Sequence, residues 1–238
     1  MTPELTTKAI PDPKLITARA ARLAELLTQL GRPDATILPV TKSLPIEIAI
    51  AARDAGFAAV GENRADEVVA KATEWQRRHD DGQVGAAPDW HFIGQIQSNK
   101  VAALAPHIAV WQSVDRLKIG RRIATHQPGG VVFIQMRPAA LGGDTNKGGC
   151  PPADVPALAD QLRGLGLAVD GIMTVGVIGD DVATAEAFAD AVALADGLDL
   201  EQRSFGMSAD LALAAAAGTT MVRIGTALVG ARPTTDGA

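Results

Sequence analysis

The 238-residue chain contains no tyrosine, one cysteine, three tryptophans and five phenylalanines. Without a phenol, no mechanism that uses one as acid, base or radical site is open to it. The single thiol, Cys150, excludes an intrachain disulfide framework and a thiolate zinc cluster. Positive charge is in deficit: 22 Lys plus Arg stand against 27 Asp plus Glu, a net charge of −5. Without basic runs, nucleic acid and anionic membrane are poor partners for such a chain. Long hydrophobic runs are missing too. The most apolar stretches, such as Leu211 to Ala217, fall far short of the ~20 residues a bilayer demands. The segment Met1 to Lys14 is polar, carries Pro3, Pro11 and Pro13, and lacks the apolar region of an export signal. These absences predict a cytoplasmic protein.

What is present is alternation. After a first helix over Lys14 to Leu30, eight short β-branched runs alternate with Ala-rich helical patterns. The runs are Thr36–Val40, Phe57–Val60, Trp90–Ile93, Ala109–Ser113, Val131–Gln135, Ala168–Thr174, Gln202–Phe205 and Met221–Ile224. Between them, Ile46, Ile48, Ala49, Ala52 and Ala55 recur at helical spacing, as do Ala185, Phe188, Ala189, Val192 and Leu194. Strands apolar on both faces, separated by helices, predict a parallel sheet covered by helices. Eight such units in one chain match a (β/α)8 barrel at its short end; an open doubly wound sheet is the alternative. No linker splits the chain, so residues 1–238 read as one domain. Arg137 to Pro152 reads as a mobile Gly/Pro-rich connection and Pro233 to Ala238 as a frayed tail.

In a parallel barrel, functional groups project from the C-terminal ends of the strands. Lys42 directly follows Ile37-Leu38-Pro39-Val40-Thr41, so its stem starts in an apolar barrel mouth. Burial there would lower its pKa, as a Schiff-base lysine requires; a solvated loop lysine is the plain alternative. Ser204-Phe205-Gly206-Met207-Ser208 and Ile224-Gly225-Thr226 end the last two strands, where barrels commonly hold phosphate. Ser208 also reads as the N-cap of a helix starting near Ala209. Ordinary turn chemistry is the plain alternative, but both clusters fall on the strands where a phosphate site is expected. Arg223 lies within an apolar strand and must pair with an acid or face a ligand, because it cannot shed its charge. An imine-forming lysine, a phosphate corner and an inward arginine together fit pyridoxal 5′-phosphate (PLP).

ILPVTKSLP over Ile37–Pro45, Gly61-Glu62-Asn63, WHFIGQIQSNK over Trp90–Lys100 and SFGMSADLALAAAAGTTMVRIGTALVGAR over Ser204–Arg232 resemble the pyridoxal phosphate homeostasis protein family, also called the YggS/PROSC family. The resemblance spans nearly the whole chain. It implies a single barrel like the N-terminal domain of alanine racemase (PLP fold type III), with PLP as an imine on Lys42. It also implies phosphate contacts from Ser204, Gly225 and Thr226, and Arg223 near the pyridine nitrogen. Asn63 and His91 match motif positions on the cofactor side. Two departures stand out: Phe205 replaces a common Met, and Asn146-Lys147-Gly148-Gly149-Cys150 carries glycine and cysteine where an apolar residue commonly follows Lys-x-Gly.

Racemisation needs a base on each face of the substrate carbon. In alanine racemases the base opposite the lysine is a tyrosine from a second domain. This chain has no Tyr, and the segment after the eighth strand is too short for such a domain. An arginine partner would also leave the ring nitrogen unprotonated and weaken the electron sink. The first expectation is therefore a PLP carrier in vitamin B6 homeostasis, without strong catalysis, which would buffer the aldehyde or deliver it to apo PLP-dependent enzymes. The alternatives are a small PLP-dependent racemase using His91 or a bound water as second base, and a cofactor-free phosphosugar enzyme using Lys42. His79, His107 and His126 lack metal-ligand spacing, so no metal is expected. Cys150 reads as a spectator thiol. With no recognisable interface, a monomer is expected.

Overall fold

The computed structural model describes residues 12–142 and 148–230. The elements follow one another as α1 (Pro13–Gln29), β1 (Thr36–Pro39), α2 (Ile46–Asp54), β2 (Ala59–Glu62), α3 (Ala65–Asp80), β3 (Asp89–Phe92), α4 (Val101–Leu104), β4 (Ile108–Val114), α5 (Leu117–His126), β5 (Val131–Gln135), α6 (Val155–Gly164), β6 (Ala168–Met173), α7 (Asp181–Gly197), β7 (Gln202–Ser204), α8 (Leu211–Ala217), β8 (Met221–Ile224) and α9 (Thr226–Val229). All eight strands are parallel and lie in the order β1-β8-β7-β6-β5-β4-β3-β2. This order rejects the doubly wound alternative, which needs a reversal of strand order. The sheet is instead a nearly closed barrel. Its seam lies between β1 and β2, where only Val40 and Gly61 form a bridge and Thr41 N donates to Gly61 O at 3.0 Å.

Local chemistry sets several boundaries. Asp12 caps α1 by accepting from Lys14 N at 2.8 Å, and Pro13 starts the helix, where a missing N–H costs nothing. Asp180 caps α7 in the same way through Ala183 N. Gly218 ends α8 at φ 99°, a conformation that side chains with a Cβ resist. The main core lies between the outer face of the barrel and the helices around it, with Trp75, Phe92, Trp111 and Phe188 among its largest members. A second cluster joins α1, α2, β8 and α9 through Ile16, Leu27, Ile48, Val222 and Leu228. Among the described residues, no helix is long and apolar enough to cross a membrane.

Two expectations need correction. The buried stripe of α7 is Ala183, Ala187, Phe188, Ala191 and Ala195, whereas Ala185 and Ala189 face solvent. Alanines surround this helix, so the sequence pattern leaves its inner face ambiguous. The helix after β7 begins at Leu211, not near Ala209, and Ser208 sits in a turn closed by Asp210 Oδ1, which accepts from Met207 N at 2.6 Å. The described ends of the 137–152 connection are tied down: Cys150 bridges Met136, donating N–H to Gln135 O at 2.7 Å and accepting from Arg137 N at 2.9 Å. The 233–238 tail lies outside the described residues.

Candidate functional site

At the C-terminal mouth of the barrel is a cavity of about 470 Å³. Lys42, Asn63, Arg223, Gly225 and Thr226 line it, five of the seven residues singled out from sequence. Val40, Ile93, Met173 and Val175 supply apolar walls. Such a wall with a few convergent polar groups is the usual makeup of a small-molecule site. His91 and Ser204 do not line it. Both are buried behind it, in the barrel interior.

Arg223 is the most constrained group. It projects from β8 and is 5% exposed, yet among the described residues it has no carboxylate partner. Its guanidinium Nη1 donates to Ser204 O at 2.6 Å and to Ser204 Oγ at 3.0 Å, while Nη2 donates to Thr174 O at 2.9 Å. All three acceptors are neutral. Burial lowers its pKa to about 10, so it remains a cation at neutral pH. The structural ion pair that would have explained an inward arginine is therefore absent among the described residues. Asp210 acts on this charge without forming an ion pair with it, so the cation is oriented by neutral oxygens and only partly offset.

Lys42 lines the cavity from the segment just after β1, the strand paired with β8. It is half-buried and makes no hydrogen bond or ion pair with the described residues. Its backbone neighbours, by contrast, are pinned. Thr41 Oγ1 donates to Glu62 Oε1 at 2.6 Å, and Lys71 Nζ donates both to Thr41 O at 2.9 Å and to Glu62 Oε1 at 2.6 Å. Ser43 takes φ 57° and donates its N–H to Glu67 Oε2 at 2.7 Å. Glu62 is fully buried; desolvation raises its pKa, with Lys71 pulling the other way.

Asn63 is held by the close approach of the turn after β3: a Cβ on Gly94 would collide with the Asn63 backbone. Its Oδ1 is buried and has no hydrogen-bond partner among the described residues. Ser208, Ala209 and Thr226 also line the cavity, and their backbone N–H groups find no protein acceptor among the described residues. Orphaned N–H groups of this kind suit an anion such as phosphate. The residues present thus fit PLP: an amine for its aldehyde, unpaired N–H groups for its phosphate, and a cation with neutral backing for its ring nitrogen.

His91 is 7% exposed, and burial lowers its pKa to about 4. Its Nδ1 lies 2.7 Å from Gln112 Nε2, and Gln112 Oε1 accepts from Ser204 Oγ at 2.7 Å. Sequence reading missed Gln112, although a Gln-Ser pair inside the apolar β4 is a visible signal. It gave Glu62 and Lys71 no role, and no local pattern links them. Cys150 is buried and burial raises its thiol to about 11, in keeping with a spectator. Among the described residues, no cluster of potential metal ligands exists.

Comparison with known proteins agrees with this geometry. The family model for the alanine racemase N-terminal domain matches residues 16–233. A pyridoxal phosphate homeostasis protein of Pseudomonas aeruginosa is 38% identical over 229 residues, 90% of this chain and 92% of that protein. Its counterpart in Corynebacterium glutamicum is 36% identical, over 90% and 98%. The solved structure of PipY from Synechococcus elongatus with PLP bound has a TM-score of 0.75 at 29% identity, covering 90% of this chain and all of that one. Fold, cavity and relatives converge: the chain belongs to the pyridoxal phosphate homeostasis protein family, built on the alanine racemase N-terminal domain.

Proposed function

We propose that this protein binds PLP and serves its homeostasis, holding the cofactor on Lys42 for buffering or delivery rather than for turnover. The observation that carries the proposal is Arg223, a buried cation fixed by neutral oxygens at the wall of a cavity that also holds an unpaired lysine. A charge left unpaired at such depth is costly unless a ligand meets it. PLP supplies a reactive aldehyde, a phosphate dianion and a basic ring nitrogen. The Lys42 amine condenses with that aldehyde, releasing water. Gly225 and Thr226, with the turn at Ser208, hold the phosphate; Arg223 meets the ring nitrogen; and Asn63 offers its amide to the ring. Ser204 acts from behind, through Arg223, rather than on the phosphate itself.

The absence of strong catalysis is part of the same proposal. A second base is required for racemisation, and the sequence contains no Tyr. His91, the other candidate, lies outside the cavity with Nδ1 engaged by Gln112. The protein acts as a cytoplasmic monomer, with apo PLP-dependent enzymes as recipients.

Purified protein mixed with PLP is expected to show a visible imine band, and borohydride reduction should fix the cofactor to the peptide containing Lys42. Lys42→Ala should lose both signals. A wild-type protein without the band overturns the proposal. Cα–deuterium exchange of an amino acid at about 1 s⁻¹ or faster, a rate typical of enzymes, would replace the carrier with a racemase.

A further inference from the structure

The donor–acceptor order inside the barrel is fixed from one end. A guanidinium only donates, so Ser204 Oγ must accept from Arg223 Nη1 and spend its own hydrogen elsewhere. That hydrogen goes to Gln112 Oε1 at 2.7 Å. The amide orientation is set in turn: Gln112 Nε2 faces His91 Nδ1 at 2.7 Å and donates to it. His91 Nδ1 is then an acceptor, which makes the ring neutral with its hydrogen on Nε2. Gln112 and Ser204 lie on β4 and β7, three ladders apart, so this bond spans the barrel interior. All four side chains are buried, and neither Gln112 nor His91 lines the cavity.

A buried network whose every member has one allowed orientation costs little to keep and much to break. Three bonds to Ser204 and Thr174 use part of the Arg223 fork. The rest is left for the cavity. Were Gln112 missing, the Ser204 hydroxyl would lose its acceptor, and its lone pairs would no longer be held toward Arg223.

We infer that Gln112, backed by neutral His91, is the positioning residue that aims Arg223 at the ring nitrogen of a bound pyridine. This deepens the reading of the cavity as a PLP site and rests on it. Gln112 touches neither cofactor nor cavity; it acts through Ser204.

The experiment compares retention of PLP with that of a carbocyclic analogue in which CH replaces the ring nitrogen. Wild type, Gln112→Leu, Ser204→Ala and the double variant are measured, with apo-protein melting as a control for folding. Gln112→Leu is expected to weaken PLP binding about 10-fold, as for loosening of the one hydrogen bond that Ser204 Oγ accepts from the Arg223 guanidinium. Its loss for the carbocyclic analogue should be below about 2-fold. Ser204→Ala should give the same selective loss, and the double variant should be no worse than either single, because the two act in one chain. Equal losses for both ligands, additive losses, or no loss at all would overturn the inference. If Gln112→Leu fails to fold, Ser204→Ala with the two ligands decides by the same criterion. Failure of wild type to retain either ligand would instead overturn the PLP reading itself.

Discussion

Lys42 and Arg223 line one cavity and are surrounded in opposite ways. Arg223 sits within a paired strand, buried, its fork held by three neutral oxygens. Lys42 sits at the seam, where the barrel is closed by a single bridge, and its own amine is unpaired among the described residues. Around Lys42 it is the neighbours that are fixed, by a buried ion pair between Lys71 and Glu62 that also grips Thr41. Glu62 and Glu67 are thereby engaged by Thr41, Lys71 and the Ser43 N–H, and neither pairs with Lys42. The difference reflects two tasks. A group that recognises a ring by direction must not move, whereas a group that forms and breaks a bond needs reach on a firm base.

The largest expected effect separates those tasks. Lys42→Ala should abolish covalent attachment while changing stability by no more than about 0.5 kcal/mol, as for a side chain that makes no hydrogen bond or ion pair with the described residues. Mass spectrometry after reduction and denaturant unfolding check the two halves. A variant that also unfolds would mean that Lys42 is part of the structural base and not merely set on it.

Next comes the base itself. Lys71→Met removes one partner of a buried ion pair and strands Glu62, with a cost of about 3–5 kcal/mol. Restoring neutrality with Glu62→Gln in the same chain should recover much of the loss in a denaturant titration. If Lys71→Met alone is harmless, the seam does not depend on charge and the contrast with the Arg223 side collapses.

The Arg223 side has its own vulnerability, to acid. His91 has a pKa lowered from 6.5 to about 4 by burial. Between those values the unfolded chain binds the proton and the folded one does not, so stability rises with pH across this window. Read downward, stability is intact above pH 6.5, declines through the window and has lost its full share below about pH 4. The share is on the order of 3 kcal/mol. The difference between wild type and His91→Gln in urea melts from pH 7 to 4 isolates it from the carboxylates that titrate nearby. A flat difference would mean that His91 titrates alike in the folded and unfolded chain, and that burial does not keep its ring neutral.

How much of this was legible beforehand depends on distance along the chain. β5 and β8 have the bounds expected, because their apolar runs are set off by Gly129-Gly130 and by Gly225. β2 starts later than expected: Phe57 packs against the core from the turn before it. Lys42 and Arg223 were legible because each is a charge where an apolar strand should continue or has just ended. The fittings behind them were not. Gln112 meets Ser204 across 92 positions and Met221 across 109. Lys71 reaches Glu62 and Thr41 only once α3 folds back along the seam. Periodicity reports which face of an element is buried, but not which polar atoms will meet across a barrel.

The smallest expected effect concerns the turn that sets Lys42 in place. Ser43 adopts φ 57°, a left-handed conformation that a residue with a Cβ occupies at a cost of roughly 1–2 kcal/mol. Its N–H is held by Glu67 Oε2 at 2.7 Å, which helps impose the conformation. Ser43→Gly relieves the backbone cost but frees the unfolded chain by a similar amount, so stability should stay within about 0.5 kcal/mol. Ser43→Val keeps the N–H and adds a branched Cβ, which resists the left-handed region further, and should cost about 1–2 kcal/mol. Thermal melts of the two variants beside wild type measure the pair. Indifference to valine would mean that the turn relaxes to a negative φ at no cost, and that the backbone beneath Lys42 is no firmer than the side chain above it.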